Sequence, residues 1–326
     1  MGSEDQATTM FNNTFVRPEK FYLSGFSNIP HIRYFYVFLC FVYIMTVLGN
    51  GFLLLVIWLV KTLHTPKYMI VFNMALTDLC GSTALIPKLL DTFLFDRRYI
   101  FYDPCLGYMF FVVFFASMQS WTLVAMAYDR LIAICLPLRY HSIVTEASIA
   151  AVLLFVWIFL VSVIATMVGL INHLSFCRSL VINSFYCDHG PVFRLACNDT
   201  SVNFNLAISL VIIILIIPLA FIVVTYVCIS IALRRTTSRE ERVRALKTCT
   251  SHLILVVMFF LPVGITNIVA WASYIDPNAR MINYTLTHTI PPLLNPIVYA
   301  LKTEEVKNAI KKLCKRNNVS NTVTKC

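Results

Sequence analysis

Seven stretches of this chain stay apolar for about the 20 residues that carry a helix across a hydrocarbon core, near 34–60, 68–94, 105–135, 148–171, 204–233, 250–274 and 282–301. A bilayer offers no water to unpaired backbone groups, so a continuous run such as Leu210 to Ile217 satisfies its own only as helix. The alternating pattern of a membrane barrel strand is absent. With 59% hydrophobic and 13% charged residues, against about 25% charged in soluble domains, the chain belongs in a membrane. The predicted fold is an all-α membrane protein, a seven-transmembrane helix bundle. No internal repeat or low-complexity tract divides it, so residues 1–326 read as one domain: an N-terminal segment over 1–33, the bundle over 34–301 and a tail over 302–326. The first 30 residues lack an apolar core behind a basic start, and the first span is expected to act as an uncleaved anchor.

Charge sets the orientation. Segments 61–67, 234–247 and 302–326 carry two, six and seven basic residues against none, two and two acidic ones, which accounts for essentially all of the net +10. The positive-inside rule puts these segments in the cytoplasm and leaves the N-terminus and the long 172–203 loop outside. A multi-pass protein of the plasma membrane is expected. Since no soluble domain carries the charge, anionic membrane lipid is the expected partner of the basic face and nucleic acid is not. In the tail, Glu304, Val306, Ala309, Ile310 and Leu313 give an amphipathic pattern, which predicts a short C-terminal helix lying on the membrane. Cys314 at its end is placed for palmitoylation; the terminal Cys326 fits no prenylation box.

The eleven cysteines divide by depth. Cys40, Cys80, Cys135, Cys228 and Cys249 lie in or at the ends of spans and read as small buried apolar groups. Cys105, Cys177, Cys187 and Cys197 face the oxidising side, where four cysteines allow three pairings that spacing leaves open. Zinc held by these cysteines with His189 is the rival reading. Of the outer sequons at Asn12, Asn198 and Asn283, Asn12 is the glycan candidate, because the others lie beside a cysteine or near the membrane.

Charge inside a bilayer is expensive and tolerated at its edge, so Asp129 and Arg130 mark the cytoplasmic end of the third span. An adjacent acid and base can act as a latch; a simple helix anchor is the alternative. Asp78 is a carboxylate well inside the second span. It should hydrogen-bond to Asn50 and Asn295, hold a sodium ion or be protonated, with Gln119 competing for the same space. Pro218, Pro262 and Pro296 interrupt the last three spans, freeing carbonyls and permitting bends. Lys88 lies three residues from Asp91 and is expected to pair with it and snorkel outward. No Asp or Glu lies between Phe110 and Ala127, so the third span offers an amine no ion-pair partner, and a small neutral or weakly polar ligand fits better.

Read in order, the chain carries Leu23-Ser24-Gly25-Phe26, Gly49-Asn50, Leu63 to Met69, Ala75-Leu76-Thr77-Asp78-Leu79 and Met126-Ala127-Tyr128-Asp129-Arg130-Leu131-Ile132-Ala133-Ile134-Cys135. Pro137-Leu138-Arg139-Tyr140, Lys247 to Leu253 and Pro292 to Tyr299 follow. In this order and spacing they resemble the motifs of odorant receptors, a branch of the rhodopsin-like G-protein-coupled receptors, over nearly the whole chain. The resemblance implies disulfides Cys105–Cys187 and Cys177–Cys197 that pin the long loop over the bundle. It implies that Arg130, released from Asp129, faces a G protein beside Tyr226 and Tyr299, with Asn295 and Pro296 part of the activation motif. It implies a ligand cavity lined by Val113, Ala116, Ser117 and Ser120, by Leu210 and Ile214, by Phe260, Asn267 and Trp271, and by Thr285 and His288. The cavity would lie in the outer half, since the 25 positions from Cys105 to Arg130 span about 38 Å of helix.

The implied protein is not an enzyme. Its implied partners are a small odorant and a heterotrimeric Gs-type olfactory G protein that raises cAMP in a sensory cilium, with no cofactor beyond the sodium ion considered for Asp78. Leu131 departs from the tyrosine usual after Asp-Arg, which would loosen the latch. Phe260 stands where a tyrosine is common, and Phe259-Phe260-Leu261-Pro262 leans towards the fish-like class I branch. Rival functions are a non-olfactory rhodopsin-like receptor for a metabolite or lipid and, from another class, a transporter. Paired halves with broken helices, a pore-lining polar stripe and a catalytic set are all absent from the sequence.

Overall fold

Seven long helices follow one another: α1 (Ile32–Leu59), α2 (Pro66–Leu94), α3 (Tyr102–Cys135), α4 (Glu146–Ile171), α5 (Ser201–Arg235), α6 (Arg239–Trp271) and α7 (Pro277–Lys302). They come from a computed structural model that describes residues 16–26, 29–177, 179–235, 239–271, 277–302 and 305–310. Six of them, α1 to α5 and the Ala245–Thr266 part of α6, are long and apolar enough to cross a membrane. The seventh is less apolar because it turns polar groups inward: Thr285, Thr287, Thr289 and Asn295 are all buried. The loop expected over 234–247 is helical from Arg239 onward. Hydropathy marks the membrane edge, whereas Arg, Glu, Ala, Leu and Lys are good helix formers that carry α6 on into water.

The central helix is α3, which touches α2, α4, α5 and α6. Asn73 of α2 ties three helices at one point, its Nδ2 donating to Thr122 Oγ1 at 2.8 Å and its Oδ1 accepting from Trp157 Nε1 at 2.9 Å. The apolar core falls into an outer cluster around Leu85, Met109 and Leu160 and an inner one around Met74, Leu123 and Ile222. Outward faces are apolar too. Trp58 is 71% exposed and Val224 62%, side chains that only an acyl-chain environment would bury.

Two prolines show how freed backbone groups are satisfied. Pro218 has no N–H to offer the Ile214 carbonyl one turn back, α5 widens into a π turn over Ile212–Ile216, and Ser120 Oγ donates to that carbonyl at 2.6 Å. Pro296 likewise frees the Pro292 carbonyl, and Asn50 Nδ2 donates to it at 2.9 Å. The neighbouring Gly49 permits this approach, since a Cβ there would lie 3.0 Å from Pro296 Cγ.

The end of the bundle where the N-terminal segment lies carries a sheet that the sequence reading did not anticipate. Strands β1 (Lys20–Leu23), β2 (Tyr99–Phe101) and β3 (Val181–Ile182) lie in the order β2-β1-β3. β1 runs antiparallel to β2 with Phe21 opposite Ile100, and parallel to β3 with Leu23 opposite Ile182. Its alternation is visible in retrospect: Phe21 and Leu23 are buried and Tyr22 faces out. The chain then turns at Gly25, with φ +54°, and a Cβ there would sit 1.9 Å from the Phe93 ring. Gly25→Ala is therefore expected to cost about 1–3 kcal/mol through overpacking and left-handed backbone strain. A lowered melting temperature of the purified protein would register it; an unchanged one would refute it.

On the inner side, residues 305–310 are helical and bury Val306 and Ala309 against Leu53, Val56 and Ile57. Tyr68 donates to Glu305 Oε2 at 3.1 Å, and Lys67 lies 3.6 Å from the same oxygen. Asn12, Glu304, Leu313 and Cys314 lie outside the described residues.

Candidate ligand and coupling sites

The outer cavity, about 220 Å³, opens between α3, α5, α6 and α7. Val113, Ala116, Ser117, Leu210, Ile214 and His288 line it, six of the residues implied by resemblance. Ser120 does not; its hydroxyl is turned to the Ile214 carbonyl. Thr285 is fully buried and donates to Met281 O. Phe260 packs in the inner core while Phe259 lines the cavity, because one residue along a helix rotates a side chain by about 100°. The side chains of Asn267 and Trp271 lie outside the described residues.

Other residues enter that the sequence reading missed. Val263 and Thr266 continue the stripe from Phe259 at helical spacing, and Tyr284 and Thr287 flank His288. The roof is Asp188. A signal for it existed in the sequence: Cys187 is joined to Cys105 at the head of α3, with Cα atoms 5.5 Å apart, which holds the next residue over the bundle. Cys177 is joined to Cys197 at 5.9 Å. All four sulfurs are thereby used, leaving no thiolate for zinc, and no metal-binding cluster occurs among the described residues. His189 is buried and bonds to Asn203 Oδ1 at 3.3 Å; burial pushes its pKa down to about 4, the Asn203 bond opposing.

Below the cavity sits Asp78, fully buried. Its Oδ1 accepts from Gln119 Nε2 at 2.9 Å and its Oδ2 from Asn295 Nδ2 at 2.7 Å. Asn50, expected to join this cluster, is turned to the carbonyls of Thr46 and Pro292 instead. Its task is the proline-freed carbonyl, the more demanding unpaired group. An amide N–H is aimed at each carboxylate oxygen, so the described residues form a hydrogen-bonded cluster around Asp78.

The inner cavity is larger, about 480 Å³, and contains Asp129, Arg130 and Tyr299 with Lys67, Lys247 and His252. Arg130 Nη2 lies 3.4 Å from Asp129 Oδ2, and Tyr140 of the following loop donates to Asp129 Oδ1 at 2.7 Å. The acid thus has a second holder that the sequence reading did not assign. Tyr226 lies beside this cavity. In the neutral ring of His252, Nε2 donates to the Leu123 carbonyl at 3.1 Å, and Nδ1 accepts from the Tyr226 hydroxyl at 2.7 Å. One imidazole therefore ties α6 to both α3 and α5.

These features define a seven-helix membrane protein with the rhodopsin fold. The structure is similar to squid rhodopsin, with a TM-score of 0.72 and 18% identity over 88% of this chain and 82% of that one. The sequence profile of the olfactory receptor family matches residues 39–317. Mouse (Mus musculus) Olfactory receptor 8G17 is 36% identical over 90% of this chain and 96% of its own. Human (Homo sapiens) Olfactory receptor 52K1 is 33% identical over 94% and 99%. The chain belongs to the olfactory receptor family. It is a multi-pass membrane receptor, not an enzyme, with a small-molecule ligand and a G protein as its partners.

Proposed function

We propose that this receptor, its N-terminus outside the cell, takes a small odorant into the outer cavity and activates a Gs-type olfactory G protein, raising cAMP in a sensory cilium. The observation that carries the reading is the His252 tie. Phe259 and Val263 of α6 wall the outer cavity, and two turns inward from Phe259, about 10 Å along the same helix, His252 clips α6 to α3 and α5 beside Arg130. A ligand that leans on the outer part of α6 works against this clip.

Displacing the inner end of α6 breaks both imidazole hydrogen bonds, widens the inner cavity and frees Arg130 from Asp129. A ligand drives this only by binding the displaced arrangement more tightly, and taking it from 1:99 to 99:1 needs about 5.5 kcal/mol of differential affinity. The Asp78 cluster and the prolines of α5 to α7 supply bendable joints. The test is a cAMP screen of cells displaying the full chain against acids, alcohols, aldehydes, steroids and prostanoids, followed by nucleotide exchange with purified Gα subunits. Evoked exchange on a Gs-type subunit is expected; exchange confined to other Gα classes, or on none, overturns the coupling.

A further inference from the structure

Among the described residues the outer cavity is rich in acceptors. Ser117 donates its hydroxyl proton to Val113 O at 2.6 Å, Thr266 to Pro262 O at 2.8 Å and Thr287 to Asn283 O at 2.7 Å, so each oxygen is left to accept, as Thr266 Oγ1 does from Asn283 Nδ2 at 2.7 Å. His288 Nδ1 lies 2.9 Å from the Tyr284 carbonyl, which can only accept, so Nδ1 carries the proton and Nε2 of the neutral ring is another acceptor. The Tyr186 and Tyr284 hydroxyls bond to each other. The hydroxyl protons of Ser117, Thr266 and Thr287 are therefore engaged.

Charge points the same way. Among the described residues no Lys or Arg lines the cavity, and Asp188 is the one acidic residue that does. Asp188 precedes the short His189–Phe193 helix, and its side chain makes no capping hydrogen bond there. Burial raises its pKa, and the charge of the exposed Arg194 pulls the other way. A cation beside the carboxylate would offset the cost of that burial. The Tyr284 ring stacks on His288 with centroids 4.3 Å apart and on Tyr186 at 5.4 Å, so neighbouring rings occupy its faces and Asp188 is the group that meets a cation. The third span offers an amine no acid; the loop above it does.

Taking the outer cavity as the ligand site, we propose that its ligand is a small aliphatic primary amine bound as the ammonium ion, the head against Asp188 and the tail among Val113, Ile214, Leu215 and Phe259. At about 220 Å³ the cavity is below the roughly 300–1,000 Å³ of sites for drug-sized ligands, which limits the tail to a short chain. Anionic and acceptor-only heads meet lone pairs and a carboxylate and are rejected.

The test compares hexylamine, hexanol, hexanal and hexanoate on the full chain in lipid nanodiscs, reading thermal stabilisation for occupancy and nucleotide exchange for coupling. Hexylamine is expected to stabilise at a concentration at least about tenfold lower than hexanol, with hexanal and hexanoate weaker still. Asp188→Asn, which removes the charge and keeps the shape, should erase the preference for the amine over the alcohol while hexanol still stabilises. Should that variant not fold, the ranking on the parent chain decides by itself. Hexanal or hexanoate equalling the amine, no stabilisation by any of the four, or a folded Asp188→Asn that keeps the preference would each overturn the proposal. Stabilisation by hexylamine without exchange on any Gα subunit would sink the receptor mechanism and leave the ligand class standing; exchange evoked by hexanal or hexanoate would do the reverse.

Discussion

Arg130→Ala is expected to lower stimulus-evoked nucleotide exchange by at least about a hundredfold while the ligand still stabilises the purified receptor, a separation worth roughly 2.7 kcal/mol of lost contact to the G protein. The guanidinium is the group on the inner cavity wall that a latch holds at rest: its side chain is 19% exposed, and Asp129 beside it is 2% exposed. Removing it leaves the outer cavity untouched, so occupancy and coupling come apart. Asp129→Asn gives the opposite sign. The amide can still accept from Tyr140 but carries no charge to retain Arg130. Losing about 1–2 kcal/mol of restraint shifts the resting equilibrium roughly five- to thirtyfold towards the open arrangement, seen as raised basal exchange. A receptor that signals normally without Arg130, or stays silent at rest without the Asp129 charge, would refute the latch.

Cys105→Ser is expected to abolish surface display, and Cys177→Ser to reduce it less. The first bond closes a loop of 82 residues and the second one of 20, which by chain entropy correspond to about 4.5 and 3.3 kcal/mol. Against a net stability of about 5–15 kcal/mol, the larger loss takes between about a third and nine-tenths of what holds the fold. Position adds to it. Cys105 and Cys187 are fully buried in the outer core with Phe185 and Tyr186, so releasing them loosens the roof of the cavity as well as the loop. Labelling of intact cells against total protein measures the ranking; equal display of both variants would show that loop closure does not set it.

Much of this molecule is readable before any coordinate. Asp129 and Arg130 end an apolar run, and they do pair at the inner end of α3. Val113, Ala116 and Ser117 share a stripe that meets the cavity. Where the reading went astray, the cause was rotation or reach. Phe260 and Phe259 are equally apolar neighbours, and only the axial rotation of α6 decides which of them the cavity receives. Asn50 and Gln119 are both amides able to reach an acid. The choice between them turned on a carbonyl freed by Pro296, on another helix 242 positions away in sequence from Asn50. The lid sheet escaped notice because β1 has four residues and β3 two, too few for a periodic signal.

The sequence alone determined where the apolar spans lie, where each proline interrupts its helix and which acid neighbours which base. These are local quantities, summed over a single span or its flanks, and hydration energy acts on them wherever the rest of the chain lies. The tertiary structure alone decided that Ser120 and Asn50 satisfy the carbonyls freed by Pro218 and Pro296, that Gln119 shares Asp78 with Asn295, and that Asp188 roofs the cavity. Each of those pairings joins residues far apart in the chain, and each depends on the axial rotation of packed helices, which close packing of the whole bundle settles at once.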